Sequence, residues 1–160
     1  MKNLTFKQQT FHEFHLYYSD QKMEHITWSN SYSLGIKLID DQHRKILDFA
    51  YNLLNYNIKN EEEEEAYFRD LIAEVVEYIK VHFATEEGIM LAIQFPGYAE
   101  HKRTHENLIL TVVRSIKDYE SGNRLVPVNF SNFLRKWILT HIAVMDLKYI
   151  DYCKKINIKL

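Results

Sequence analysis

Four stretches of this chain repeat apolar residues at steps of three and four, and each interrupts its apolar stripe with histidine or an acid. Such steps put side chains on one face of an α-helix. The first helix is predicted over residues 39 to 57, with Ile39, His43, Ile46, Leu47, Ala50, Leu53 and Leu54 facing inward. Asp40 and Asp41 near its start suit the positive end of the helix dipole. The second is predicted over residues 61 to 93, on the stripe Phe68, Ile72, Val75, Ile79, His82, Phe83, Glu86 and Met90. Asn60 and Glu63 resemble a capping box, and the acidic run at 61 to 65 reads as a solvated first turn rather than a functional patch. A third, over residues 98 to 120, shows His101, His105, Leu108, Val112, Ile116 (or Val113) and Tyr119. The last, over residues 127 to 156, shows Phe130, Phe133, Leu134, Trp137, Ile138, His141 and Met145.

Breakers are few, with only four Gly and two Pro in 160 residues. Pro96-Gly97 separates the second and third helices, and Ser121-Gly122-Asn123 ends the third. Pro127 is tolerated in a first helical turn. Strand signals are weak. The expected fold is all-α, an up-down-up-down four-helix bundle with an N-terminal arm.

Composition narrows the function. A net charge of -2 gives no electrostatic reason to expect nucleic acid or an anionic membrane as partner. No run of about 18 apolar residues is present, so no membrane span is expected. The first residues lack the apolar core of a signal peptide. A single cysteine, Cys153, leaves neither an intrachain disulfide nor a thiolate cluster. A cytoplasmic setting is expected, and Cys153 reads as an ordinary thiol near the end of the last helix.

The ionisable groups on or beside the stripes are His43, His82, Glu86, His101, His105, His141 and Asp146. A lone histidine on an apolar face is ordinarily a hydrogen-bonded core residue. Seven such groups spread over all four stripes call for a common explanation, because burying unpaired carboxylates costs several kcal/mol each. Cations between the helices would compensate them. His101 and His105 lie one turn apart, as do His82 and Glu86, so each pair can reach one ion. His141 and Asp146 are five apart, about 140° around a regular helix. Either the acid reaches towards a second ion or a π-bulge brings the two into line; the sequence leaves both open. Five imidazoles and two carboxylates exceed one ion with a vacant position and suit two. Nitrogen and oxygen donors without thiolate argue against an iron–sulfur cluster and admit iron, manganese, cobalt or zinc.

Trp28, Gly35-Ile36 and Ile39-Asp40-Asp41-Gln42-His43, then His82-Phe83-x-x-Glu86-Glu87, His101-Lys102-x-x-His105-Glu106 and His141-Ile142-x-x-x-Asp146, together resemble the hemerythrins, over about residues 23 to 156. The resemblance implies a non-haem di-iron centre that binds dioxygen reversibly, for oxygen carriage, storage or delivery. It implies that His101, His105 and His141 hold one iron and that His43 and His82 hold the other, which keeps an open position. Glu86 and Asp146 would bridge them, with an oxide or hydroxide as third bridge. Ile46, Trp137 and Ile138 match positions that wall the oxygen pocket in the family; core packing is their alternative role. The competing functions are a di-iron enzyme acting on nitric oxide or peroxide, and an oxygen or redox sensor acting through a separate partner. An oxygen-consuming protein is a conceivable recipient.

Residues 1 to 22 lie outside the resemblance, and residues 23 to 160 form the hemerythrin-like domain. Met23 is a candidate start, which would make the preceding stretch an annotation extension. In the competing reading the stretch is an arm whose Phe11, Phe14 and Tyr18 pack on the bundle. His12, His15 and His25 read as surface residues.

Overall fold

A computed structural model of the chain describes residues 28–53, 61–123 and 126–159. The N-terminal arm, the Met23 start, His12, His15, His25, Leu54, the end of the first helix near residue 57 and the cap at Asn60 all lie outside the described residues.

A short 3-10 turn, Asn30–Tyr32, precedes the first long helix, α1, Lys37–Asn52. Helix α2 spans Glu61–Ala92, α3 Tyr98–Glu120 and α4 Val126–His141. Five residues of π-helix, Ile142–Asp146, then lead directly into α5, Leu147–Lys155. The predicted fourth helix is therefore one rod with a π-turn inside it. Helix α1 packs on α2 and α4, α2 on α3, and α3 on α4. That closed ring of sequence neighbours, joined by short connections, is a four-helix bundle. No helix among the described residues is long and apolar enough to cross a membrane.

The ends of the elements follow local chemistry. Asp40, in the first turn of α1, accepts from Leu34 N–H at 2.8 Å and Ser33 O–H at 2.5 Å. It thus ties the incoming chain to the positive end of the helix. Helix α2 closes with Gln94 at φ +52 and a bond from Phe95 N–H to Met90 C=O of 2.8 Å. Gly97 then passes so close to the Phe95 ring that an added Cβ would lie 2.6 Å from it. Gly122, at φ +93, ends α3 in the left-handed conformation that favours glycine.

The predicted stripes are the buried faces. Ile39, Ile46, Leu53, Val75, Ile79, Met90, Leu134 and Ile138 have no exposed surface. One departure is Glu64. In place of a fully solvated acidic turn, this carboxylate is buried while Glu62, Glu63 and Glu65 are exposed. It stands one helical turn before Phe68 and so shares the inward face.

Among the described residues, apolar side chains form two clusters. The larger runs from Phe68, Tyr119 and Val126 up to Phe83, Ile138 and Ile142. The smaller contains Met90, Ile93, Tyr149, Ile150 and Cys153. Along α2 the order is Phe83, Glu86, Met90; along the last rod it is Ile142, Asp146, Tyr149. The polar layer therefore sits between two apolar floors.

Candidate metal centre

All seven ionisable groups picked out on the stripes meet in that layer, and none is more than 4% exposed. Helix α1 supplies His43, α2 supplies His82 and Glu86, α3 supplies His101 and His105, and α4 supplies His141. Asp146 closes the π segment. Five regular helical steps would turn Asp146 away from His141. The wider π-turn instead brings Asp146 Oδ1 to 3.1 Å from His141 Nε2. Of the two arrangements left open by the spacing, the π-bulge is the one observed.

The Nε2 atoms of His101, His105 and His141 form a triangle with sides of 3.1, 3.1 and 3.1 Å. With metal–nitrogen bonds of about 2.1 Å, donors at right angles stand about 3.0 Å apart and tetrahedral donors about 3.4 Å. The triangle is closer to the right-angled face. Glu86 Oε2 lies 3.1 Å from His105 Nε2 and 3.4 Å from His101 Nε2. These four residues make one donor set. His43, His82 and Glu86 make a second, with Glu86 oxygens 3.7 Å from His43 Nε2 and 3.8 Å from His82 Nε2. Glu86 belongs to both. Asp146 divides its oxygens similarly, with Oδ2 at 3.3 Å from His43 and Oδ1 facing His101 and His141 at 3.4 and 3.1 Å.

The donors are chemically incomplete as they stand. His43 Nε2, His82 Nε2 and both Asp146 oxygens are buried and make no aligned hydrogen bond. Each such group carries a desolvation cost of about 1–3 kcal/mol, more where charged. Cations bound by both sets would satisfy them together, so the residues present fit a two-ion cage.

The electrostatics of the donors are set by burial and by one another. Burial opposes ionisation of Glu86, yet the His82 charge and hydrogen bonds from His101, His105 and His141 hold its carboxyl well below the usual range. Burial and the Glu86 charge work against Asp146, but His141 and His43 hold it low as well. Burial likewise disfavours charge on His141, and Asp146 followed by Glu86 overrides it, pushing the imidazole up to about 9. His82 goes the other way, to about 4, chiefly through burial. The layer thus favours both acids as anions and His82 as a neutral donor, while His141 holds a proton that a cation would have to displace.

Outer hydrogen bonds fix the ring tautomers. Gln42 donates its amide N–H to Thr85 at 3.2 Å, and Thr85 donates to Val81 C=O at 2.8 Å. The Gln42 carbonyl, 3.1 Å from His82 Nδ1, is therefore the acceptor, leaving Nε2 free to ligate. Thr104 donates to His101 C=O at 2.7 Å, so its oxygen accepts from His141 Nδ1–H at 3.3 Å. His105 Nδ1–H donates to Glu87 Oε1 at 3.2 Å. Tyr149 O–H reaches Glu86 Oε1 at 3.4 Å from the smaller apolar cluster. Sequence reasoning missed Gln42, Thr104, Glu87 and Tyr149 as parts of the site. Gln42 and Glu87 adjoin predicted ligands, and that adjacency was the available signal.

Residues 34–153 match the model of the hemerythrin HHE cation binding domain, three quarters of the chain. The chain belongs to the hemerythrin family. It is 33% identical over 130 residues to a bacteriohemerythrin of Clostridium acetobutylicum, covering 78% of this chain and 98% of that one. It is 31% identical over 129 residues to a bacteriohemerythrin of Stenotrophomonas maltophilia, covering 81% and 82%. Hemerythrin subunit 1 of Golfingia vulgaris is 28% identical over 122 residues, covering 76% and 88%.

Of the residues that resemble the hemerythrin oxygen pocket, Ile46 and Ile138 are fully buried in the larger apolar cluster. Trp137 stacks on His141, with ring centroids 4.4 Å apart and planes 15° apart, and meets Phe83 at 5.9 Å. Its outer side lines a groove of about 500 Å³ with Phe133, Thr140 and Val144. Trp137 therefore lies beside the three-histidine set. On the two-histidine side, the Trp28 ring lies 6.3 Å from His43.

Proposed function

We propose that this member of the hemerythrin family binds dioxygen reversibly at a pair of non-haem irons, as a carrier, store or delivery protein. The observation that carries the reading is the pair of donor sets sharing one buried carboxylate, Glu86. His101, His105 and His141 would hold one iron, and His43 and His82 the other. Glu86 and Asp146 would bridge, with an oxide or hydroxide as third bridge. Two ferrous ions held there would supply the two electrons that reversible oxygen capture requires.

The rest is the work of the chain. The three-histidine set with both acids supplies more donors than the two-histidine set, which leaves the second with room for a small guest. Ile46, one turn after His43, and Ile138, one turn before His141, are both fully buried and give the layer an apolar wall. A dry, apolar wall withholds solvation and protons from a departing anion and so favours release of neutral oxygen. The donor balance acts in the same direction. Anionic donors favour high metal charge, and here only two of seven donors are anionic. The carboxylate-rich sets of oxygen-activating ferritin-like bundles lie at the opposite extreme.

The test is to load the full chain with ferrous iron anaerobically and follow its optical spectrum through alternating oxygen and argon. The expected result is an absorption band that appears with oxygen and disappears without it over repeated cycles. Irreversible bleaching in the first cycle, or sustained consumption of nitric oxide or peroxide with the site intact, would replace the carrier reading by the enzymatic one.

A further inference from the structure

Each candidate ligand has a back side as well as a metal-facing nitrogen, and the five back sides differ. His82 donates to the Gln42 amide and His141 to the Thr104 hydroxyl, both neutral acceptors. His43 Nδ1 and His101 Nδ1 are buried without a hydrogen bond. His105 alone among the five, within the described residues, donates to a carboxylate, Glu87, at 3.2 Å.

Glu87 is not arranged as an ordinary surface ion pair. Its side chain is 19% exposed, and its two oxygens serve different partners. Oε1 points to the ligand imidazole, while Oε2 holds Lys102 Nζ at 3.1 Å. Lys102, one turn after Tyr98 on α3, is 43% exposed. The Phe83 ring lies flat on His105, 3.6 Å between centroids and 4° between planes, and holds the imidazole in register with Glu87. A continuous polar chain therefore runs from solvent to the cluster: Lys102, Glu87, His105 Nδ1–H, His105 Nε2.

We propose that Glu87, acting through the Nδ1–H of His105, makes the three-histidine half of the centre its electron-rich half, and that Lys102 at the surface sets how strongly it does so. This rests on the two-ion reading above. A carboxylate that accepts from a ligand imidazole makes the ring more basic and a stronger donor, which favours the more highly charged metal state. Lys102 pulls the carboxylate charge the other way. It stands further out, where water screens it, so its influence is the smaller of the two. The outcome is a centre whose two irons differ in ease of oxidation, adjusted from a residue that solvent or an anionic partner can reach.

The experiment compares wild type, Glu87→Gln and Lys102→Gln as full chains loaded with iron, with iron content measured first. Glu87→Gln keeps the shape and an acceptor oxygen but removes the charge. The ferric state of that variant should lose about tenfold in relative stability, equivalent to a rise of about 59 mV in one-electron potential. Lys102→Gln should shift the potential downward and by less. In zinc-loaded protein, proton NMR should show the His105 ring N–H downfield in wild type, moved upfield in Glu87→Gln and further downfield in Lys102→Gln.

A purely structural role would weaken both variants without opposite shifts. Glu100→Gln is the control for general charge, because Glu100 pairs with Lys148 at 3.0 Å on the exposed face of the same helix. If the Glu87 and Lys102 variants hold two irons yet shift together or not at all, the proposal is overturned. A shift in Glu100→Gln as large as that in Glu87→Gln overturns it too. A wild-type chain that takes up no iron defeats instead the reading on which it rests.

Discussion

At the scale of single residues, the seven donors differ in what their loss removes. His82 is one of two imidazoles in its set, whereas the other set has three. His82→Ala should therefore lose the oxygen-dependent absorption while the chain still retains iron on the His101, His105 and His141 side. An unchanged oxygen spectrum in that variant would contradict the assignment of its half of the centre. The convergence of the seven groups was legible in the sequence because six of them interrupt an apolar stripe, where an ionisable group needs a reason. Their supporting residues were not. Gln42, Thr104 and Glu87 sit one step off the stripes, where periodicity reads polar residues as solvent-facing, and only the approach of a neighbouring helix turns them inward. Glu64 shows the same blindness in reverse, since a run of five acids looked uniformly solvated while one of them lies on the buried face.

At the scale of elements, the π segment decides the site. The helices and the breakers between them followed from apolar spacing and from Pro96, Gly97 and Gly122. The extra residue between His141 and Asp146 did not, because residue types carry no signature of a π-turn distinct from an α-turn. Inserting one alanine after Ala143, an exposed residue inside Ile142–Asp146, should exceed the single extra residue that the π-turn absorbs. Asp146 would then rotate by about 100° relative to His141. Tyr149, Ile150 and Cys153 would leave their places in the smaller cluster with it. The expected result is loss of two-iron loading together with a lower unfolding midpoint, at nearly unchanged helical circular dichroism. Full iron loading in the insertion variant would show that the register set by the π-turn is not what positions Asp146.

At the scale of the whole molecule, the two apolar floors keep the charged layer dry. Ile46→Ala opens the larger floor beside His43, and truncation of a fully buried isoleucine costs about 2–5 kcal/mol. Admitted water should also speed autoxidation of the oxygenated protein, read as decay of its oxygen band; an unchanged decay would remove the dry-wall argument. A separate effect belongs to the alkaline side. Burial, followed by the charge of Glu74, raises the Tyr67 phenol above its ordinary value of 10.0. Burial, followed by Asp41, does the same for Tyr78. A folded pKa above the unfolded one contributes stability that is complete below about pH 10 and is lost as pH rises through the folded value. The denaturant midpoint should therefore fall above pH 10, and the double replacement Tyr67→Phe, Tyr78→Phe should flatten that fall. An equally steep fall in the double variant would assign it to other groups.

The central claim is that one buried layer clamps two metal ions through shared acid oxygens. Anaerobic titration of ferrous iron into the metal-free full chain, followed calorimetrically, tests it most directly. The account predicts uptake that ends at two irons per chain, with proton release as the imidazoles ligate. A folded chain that saturates at one iron, or binds none, would contradict it.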